Sequence, residues 1–230
     1  MKKKIVFFTG AGVSAESGLA TFRDSVNGLW NNYRIEDVCT PQAWDKDKAL
    51  VLEFYNYRRR QCLEVKPNIA HNLIAELESD FDVDVVTQNV DDLHERAGST
   101  KVVHLHGELM KVRSSMNPNL VYNWIEDVRI GDNCEDGFQL RPHIVWFGEP
   151  LDNQKIEQAI DVIMKCDICV IVGTSLQVAP ANGIPTFLKE GAELFVIDPK
   201  DVSINFHSKV SSIKAKACEG MEVLMKKLIQ

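Results

Sequence analysis

Apolar and polar positions along the chain follow two periods in turn. Short β-rich runs fall at residues 4–9, 83–87, 102–105, 144–147, 168–173 and 193–197. Each is short enough to be a strand, and the run at 168–173 is almost wholly apolar, as a central strand buried on both faces must be. Between the runs the period changes. Residues 69–77 and 154–164 carry apolar side chains at helical spacing. Residues 180–189 begin near a proline and stop before Gly191, and 219–229 closes the chain as a further helix. Strands alternating with helices predict an α/β fold.

Two stretches break the alternation. Residues 36–68 are mostly helical and inserted early. Residues 114–139 are rich in Asn, Asp, Gly and Ser and read as a loop-rich lobe or a small antiparallel unit. There Leu120, Val121, Tyr122, Trp124 and Phe138 offer a small apolar core. The chain of 230 residues is 45% hydrophobic and 26% charged, which excludes disorder as its main state and allows one large domain or a core with an insert. Its net charge of −7 makes it a poor general binder of nucleic acid, where phosphate neutralisation dominates affinity. No apolar run approaches the roughly 20 residues that span a bilayer. The apolar run after Lys2, Lys3 and Lys4 is too short for a signal peptide, so a cytoplasmic protein is expected. The six cysteines are not the dense framework of a secreted mini-protein.

The first strand ends in Gly10-Ala11-Gly12-Val13-Ser14-Ala15, which satisfies G-x-G-x-x-[GA]. Such a turn allows close backbone approach to phosphate at a helix N-terminus, although a plain tight turn has the same pattern. A dehydrogenase fingerprint also needs a second strand ending in an acid about 20 residues on. Here that region is a polar loop, Arg23 to Trp30, so hydride transfer ranks last among nucleotide chemistries.

More specific motifs follow in order. Gly10 to Gly18 runs into Thr21-Phe22-Arg23. Thr87-Gln88-Asn89-Val90-Asp91 leads to Leu93-His94 and Ala97-Gly98. Then come His104-Leu105-His106-Gly107, Pro142 to Glu149, and Gly173-Thr174-Ser175-Leu176-Gln177-Val178. In this order and spacing they closely resemble the sirtuins, NAD-dependent protein-lysine deacylases, over about residues 5 to 198.

The resemblance implies a Rossmann-like parallel sheet with helices on both faces, plus a smaller discontinuous lobe. The large domain would comprise 1–35, 76–109 and 140–230. The helical insert 36–75 and residues 110–139 would form the small one. It implies NAD as cofactor and acyl-lysine proteins as partners. In sirtuins the acyl oxygen attacks the nicotinamide ribose, nicotinamide leaves, and a histidine then activates the ribose hydroxyls. The products are free lysine, nicotinamide and 2′-O-acyl-ADP-ribose. The matching base is His106, a residue type whose ordinary pKa suits it to proton transfer near neutrality. His104 would share its face of a strand. Asn89 and Asp91 match the pair that holds ribose, water and the nicotinamide amide. Gln88 matches a ribose contact. Gly10, Ala11, Gly12 and Ser14 form the phosphate turn, and Ala11, Phe22 and Arg23 resemble its lid. Gly173, Thr174 and Ser175 follow a central strand, where open α/β sheets bind ligands. Val145 and Phe147 resemble the substrate tunnel, which pairs with peptide by strand addition.

Within 53–60, Tyr55 and Arg58 stand three apart on one helix face. They match the Tyr and Arg by which desuccinylase-type sirtuins bind an acidic acyl chain, and Arg suits bidentate capture of a carboxylate. Arg59 and Arg60 read as a solvated basic face. Cys39 stands where that subgroup carries Ala, and the small change in size leaves the pocket open. Removal of succinyl or malonyl groups beside acetyl is therefore expected.

Departures from the family are equally specific. Its structural zinc is held by two cysteine pairs, which would fall near Ser114 and Asn117 and near Cys134 and Gly137. One thiolate cannot complete a tetrahedral four-cysteine site, so no metal is expected. Asp198 stands where the family carries an Asn for the adenosine ribose. Cys166-x-x-Cys169 has redox or metal spacing but enters a central apolar strand, where inert thiols are common. Protein ADP-ribosyl transfer and non-catalytic sensing of NAD or ADP-ribose remain as alternatives.

Overall fold

A computed structural model describes residues 2–19 and 33–229. Strand β1 (Lys4–Thr9) gives way at Gly10 to a four-residue helix α1 (Gly12–Ala15). After 33 come the short helices α2 (Ile35–Val38) and α3 (Pro41–Lys46), the long α4 (Lys48–Glu64) and α5 (Ile69–Glu76). Strand β2 (Asp82–Thr87), helix α6 (Leu93–Ala97) and strand β3 (Val102–His104) follow. Then β4 (Gly107–Ser114), β5 (Val121–Asn123) and β6 (Leu140–Ile144) form a separate group. The chain returns through α7 (Asn153–Lys165), β7 (Ile168–Val172), a 3-10 helix (Ala181–Phe187), β8 (Glu193–Ile197), β9 (Val210–Ile213) and α8 (Ala217–Leu228).

The six-stranded sheet is parallel throughout, in the order β3-β2-β1-β7-β8-β9. The chain runs outward from β1 on one side and from β7 on the other, so the order reverses between these two strands. Ligand crevices open at such a switch point, beyond the carboxyl ends of the strands. Successive side chains of a strand face opposite ways. Val6 and Phe8 of β1, with Cys169 and Ile171 of β7, pack under α7 and the 3-10 helix. Ile5 and Phe7, with Ile168, Val170 and Val172, pack under α5 and α8. Helices therefore cover both faces, as an all-parallel sheet requires.

The second sheet, β5-β4-β6, is antiparallel and carries the small lobe. Its core joins α4 to β4 and β6 through Phe54, Tyr55, Leu109, Val112, Leu140 and Trp146. Thr40 and Asp47 cap α3 and α4 by accepting hydrogen bonds from Ala43 and Leu50 N–H.

Several expectations are corrected. The run 144–147 is no strand of the parallel sheet. Ile144 ends β6 in the antiparallel one, and Trp146 is buried in the small-lobe core. A short apolar run cannot say which sheet it joins. Strand β6 thus belongs to the small lobe although residue 140 was expected to open the large domain's last segment. Helix α5, placed with the insert at 36–75, instead packs on the parallel sheet through Ala70 and Ile74. The segment after Pro180 is 3-10 rather than α-helical, with Pro185 inside it removing an N–H donor. Val121 and Phe138 are 37% and 47% exposed and are not core. Leu120, Tyr122 and Trp124 do pack against the small-lobe core. Among the described residues, no helix is long and apolar enough to cross a membrane.

Candidate active site

Two backbone turns meet at the switch point. Gly10 N–H donates to Val172 O at 3.0 Å, and Gly12 N–H donates to Gly173 O at 2.9 Å. A Cβ on Gly10 would lie 2.6 Å from the Thr174 Cβ, and one on Gly12 would lie 2.6 Å from the Gly173 Cα. Gly173 has φ +61, and a Cβ there would meet Val13 N at 2.5 Å. The glycines are thus required by the contact between the two turns, which brings the Gly10–Ser14 segment beside Thr174 and Ser175.

The segment after β2 supplies the polar side chains. The Gln88 amide donates to Thr174 Oγ1 at 2.9 Å, tying β2 to the turn after β7. The Asn89 amide donates to Gly10 O at 3.2 Å and to Ser14 Oγ at 3.1 Å. Ser14 Oγ in turn donates to Asp91 Oδ2 at 3.0 Å, while Asp91 Oδ1 accepts from Leu93 N–H at 3.3 Å. Burial raises the Asp91 pKa, opposed by these two donors and by the charges of His104 and Arg58. His71 and His94 lie beneath, with ring centroids 4.8 Å apart. His71 Nε2 is 3.4 Å from Ser14 Oγ, and His94 Nε2 is 3.0 Å from Thr9 Oγ1. Sequence reasoning gave these two no role: His94 stood in the Leu93-His94 motif with no part assigned to it, and His71 only in a run of helical spacing.

His106 follows β3 with Nδ1 2.8 Å from Gln88 O. A carbonyl only accepts, so Nδ1 carries the proton, and the neutral ring has its lone pair on Nε2. Burial lowers its pKa, partly offset by the Gln88 carbonyl. His104 places Nδ1 2.9 Å from Asn89 O and Nε2 2.7 Å from Glu95 Oε1.

The structure therefore brings Gly10, Gly12, Ser14, Gln88, Asn89, Asp91, Thr174 and His106 into one connected site. Ala11 lies in its first turn and Ser175 in its second. Phe22 and Arg23 lie outside the described residues. Asp198 directly follows β8 at the same edge of the sheet, where its carboxylate accepts from Lys200 N–H at 2.8 Å.

Tyr55 lies in the small-lobe core. Its hydroxyl donates to Cys39 Sγ at 3.3 Å and accepts from Trp146 Nε1–H at 3.0 Å. Arg58 is half-buried, its guanidinium 5.9 Å from the Phe54 ring. Its charge acts on Tyr55, Cys39 and Asp91 alike, which places it between this cluster and the polar site. Val145 N–H donates to His106 O and Phe147 N–H donates to Cys39 O, both at 2.9 Å. Peptide pairing at these two residues would have to use carbonyl acceptors. Arg59 corrects the expected solvated face. It is 0% exposed and donates to Leu109 O, Asn56 Oδ1 and Glu126 O. Arg60 is exposed and pairs with Asp127 at 2.5 Å.

The residues at the four expected zinc positions do not fit the ion. Ser114 Oγ donates to Asp136, Asn117 Oδ1 accepts from Asn119 N–H, Cys134 Sγ lies 3.3 Å from the Tyr122 hydroxyl, and Gly137 has no side chain. Cys166 and Cys169 are buried in the sheet core, which pushes the Cys166 thiol up to about 11 and raises the Cys169 thiol further from thiolate chemistry.

Known proteins resemble this chain in sequence and fold. The Sir2 family model matches residues 10–180. The chain belongs to the Sir2 family. A Bacteroides thetaiotaomicron protein named NAD-dependent protein deacylase is 51% identical, covering 99% of this chain and 98% of its own. A Helicobacter pylori protein of the same name is 48% identical, covering 99% and 98%. The solved structure of a Sir2 homolog–NAD complex superposes with a TM-score of 0.88 at 39% identity, covering 99% of this chain and 90% of the other. A Sir2 complex with a p53 peptide and NAD superposes with a TM-score of 0.79 at 28% identity, covering 98% and 93%.

Proposed function

We propose that this Sir2 protein is an NAD-dependent protein-lysine deacylase that removes acetyl groups and also succinyl or malonyl groups. The observation that carries the reading is the His106–Gln88 contact. It fixes the tautomer of a half-buried imidazole beside a site built from an amide, a carboxylate and two glycine turns. That donor and acceptor set suits NAD: amide and carboxylate groups can bind a carboxamide and ribose hydroxyls, and close-packed glycine turns suit phosphate.

NAD, when bound, supplies a ribose carbon open to attack by the acyl oxygen, nicotinamide as leaving group, and hydroxyls that take up the acyl chain. The protein's own part is positioning and proton transfer. Asn89 and Asp91 orient the nicotinamide side, held by Ser14 and the Leu93 N–H. Gln88 and Thr174 brace the ribose, and Asp198 accepts hydrogen bonds at the adenosine end. His106 Nε2 accepts the ribose hydroxyl proton, and its Nδ1–H stays on Gln88 O throughout.

The acidic-acyl reading rests on Tyr55, Arg58 and Cys39. The Tyr55 hydroxyl spends its proton on a thiol sulfur, a weak acceptor. An acyl carboxylate is a stronger one, and the nearby Arg58 charge adds to its attraction. The partners are proteins carrying acyl-lysine, and six unpaired thiols favour a cytoplasmic setting.

The test compares acetyl- and succinyl-lysine forms of one peptide with NAD. Arg58→Met is expected to lose succinyl turnover by at least tenfold more than acetyl turnover. Cys39→Ala, which frees the Tyr55 hydroxyl, is expected to raise the succinyl-to-acetyl ratio. Equal losses of both activities in Arg58→Met would contradict the acidic pocket.

A further inference from the structure

His104 sits between two hydrogen-bond acceptors. Its ring is 6% exposed, with the Asn89 carbonyl on Nδ1 and the Glu95 carboxylate on Nε2. A carbonyl cannot donate, and neither can an ionised carboxylate. A neutral imidazole, with one N–H, satisfies only one of them, whereas an imidazolium satisfies both.

The charged surroundings agree. Burial alone lowers the His104 pKa, but Glu95 of α6 overturns this, the Asn89 carbonyl and Glu108 of β4 assist, and the net direction is upward. Asp91, beyond Asn89, is itself stabilised as the carboxylate by His104. Lys111 of β4, whose charge also acts on Glu95, is paired with Glu108, and His94 of α6 is held neutral by burial.

The carbonyl that His104 grips is not arbitrary. His106 holds Gln88 O and His104 holds Asn89 O, so two rings two residues apart clamp successive carbonyls of the segment that carries the polar site. The Asn89 amide is thereby aimed at Gly10 O and Ser14 Oγ.

We propose that His104, held doubly protonated by Glu95, is a positioning residue that sets the Asn89 backbone and so the NAD-binding pose of the Asn89 side chain. The proposal rests on the reading of Asn89 as a contact to NAD. It also gives the enzyme a specific pH response. When His104 loses its second proton, the Nε2 lone pair faces the Glu95 carboxylate, and the ring no longer satisfies both partners.

The test measures NAD affinity by titration calorimetry, and KM for NAD in turnover, from pH 6 to 9. His104→Phe, which keeps the bulk and loses both contacts, is expected to weaken NAD binding by about tenfold. His104→Asn places an amide donor where Nδ1 stands. It is expected to restore affinity to within about threefold of wild type and to abolish the weakening of NAD binding at alkaline pH. Glu95→Gln, whose amide can donate to a neutral ring's Nε2, is expected to flatten the same alkaline limb. Unchanged NAD affinity in His104→Phe would overturn the proposal. If that variant does not fold, a tenfold loss in His104→Asn, or an unaltered pH profile in Glu95→Gln, overturns it equally. Asn89→Ala separates the two levels. A loss of NAD affinity there with none in His104→Phe overturns the positioning role alone. No loss in either removes the reading of Asn89, and the proposal with it.

Discussion

The Nδ1 of His106 lies 2.8 Å from the carbonyl oxygen of Gln88, the residue directly before Asn89. One contact therefore sets the tautomer of this imidazole and couples it to the segment that carries the polar site. Burial lowers the His106 pKa from its ordinary 6.5. The base proposed here works deprotonated, so a lowered pKa keeps it active on the acid side. The acid limb of kcat is expected to inflect below pH 6.5, measured at saturating NAD and peptide. An inflection above pH 7 would contradict the burial account.

Arg59 joins helix α4 to the rest of the small lobe. Its guanidinium donates to Leu109 O in β4 and to Glu126 O, and through Asn56 it reaches Val128, whose N–H donates to Asn56 Oδ1 at 2.9 Å. Burial lowers its pKa to about 10, still far above neutrality, so the group remains charged. Arg59→Ala leaves buried acceptors without donors. It is expected to reduce the unfolding free energy by roughly 2–4 kcal/mol in urea titration. A change below about 0.5 kcal/mol would show that the lobe does not depend on this cation.

Beside His106, three further histidines make the fold sensitive to acid. Burial lowers His71 and His143 to about 4 each, and it lowers His94 well below the ordinary value of 6.5. Between the folded and unfolded values, the unfolded chain binds protons that the folded one refuses. Their contribution to stability is thus complete above pH 6.5 and lost as pH falls toward 4. Each contributes a slope on the order of 1.4 kcal/mol per pH unit once well below 6.5. His104 opposes them, since its raised pKa favours the folded state below 6.5 and that gain is lost at higher pH. Four histidines, His106 among them, outweigh one, so the unfolding free energy is expected to drop between pH 6.5 and 5. A flat or rising profile over that interval would contradict the assignment.

The parallel sheet was legible because most of its strands are short runs rich in apolar residues, two of which, β1 and β7, are followed directly by glycine. Strand β1 has the expected bounds, and β2, β7 and β8 fall within a residue of theirs. Strand β9 escaped notice because it is a half-exposed edge, Val210-Ser211-Ser212-Ile213, with no apolar run to mark it. The small lobe was less legible. Its core is assembled from residues far apart in the chain, as when Trp146 donates to Tyr55 across 91 positions. Arg59 shows the same limit in sharper form. Neighbouring arginines at 58, 59 and 60 look alike in sequence, yet helical geometry leaves the first half-buried beside Phe54, buries the second in the core and exposes the third. Backbone carbonyls supplied by distant segments, with the Asn56 side chain, make the middle one tolerable inside. The residues Gln88, Asn89, Asp91 and His106 could be named in advance because they sit in short motifs at strand ends. What the motifs could not give was the carbonyl clamp that orders them.

The most direct test of the account follows the products of one acyl-lysine peptide incubated with NAD, by mass spectrometry, for wild type and His106→Ala. Wild type is expected to yield free lysine, nicotinamide and O-acyl-ADP-ribose. His106→Ala should bind NAD normally and lose about 100-fold or more in turnover. Peptide that stays acylated with wild type while NAD binds, or a His106→Ala variant that turns over like wild type, would contradict it.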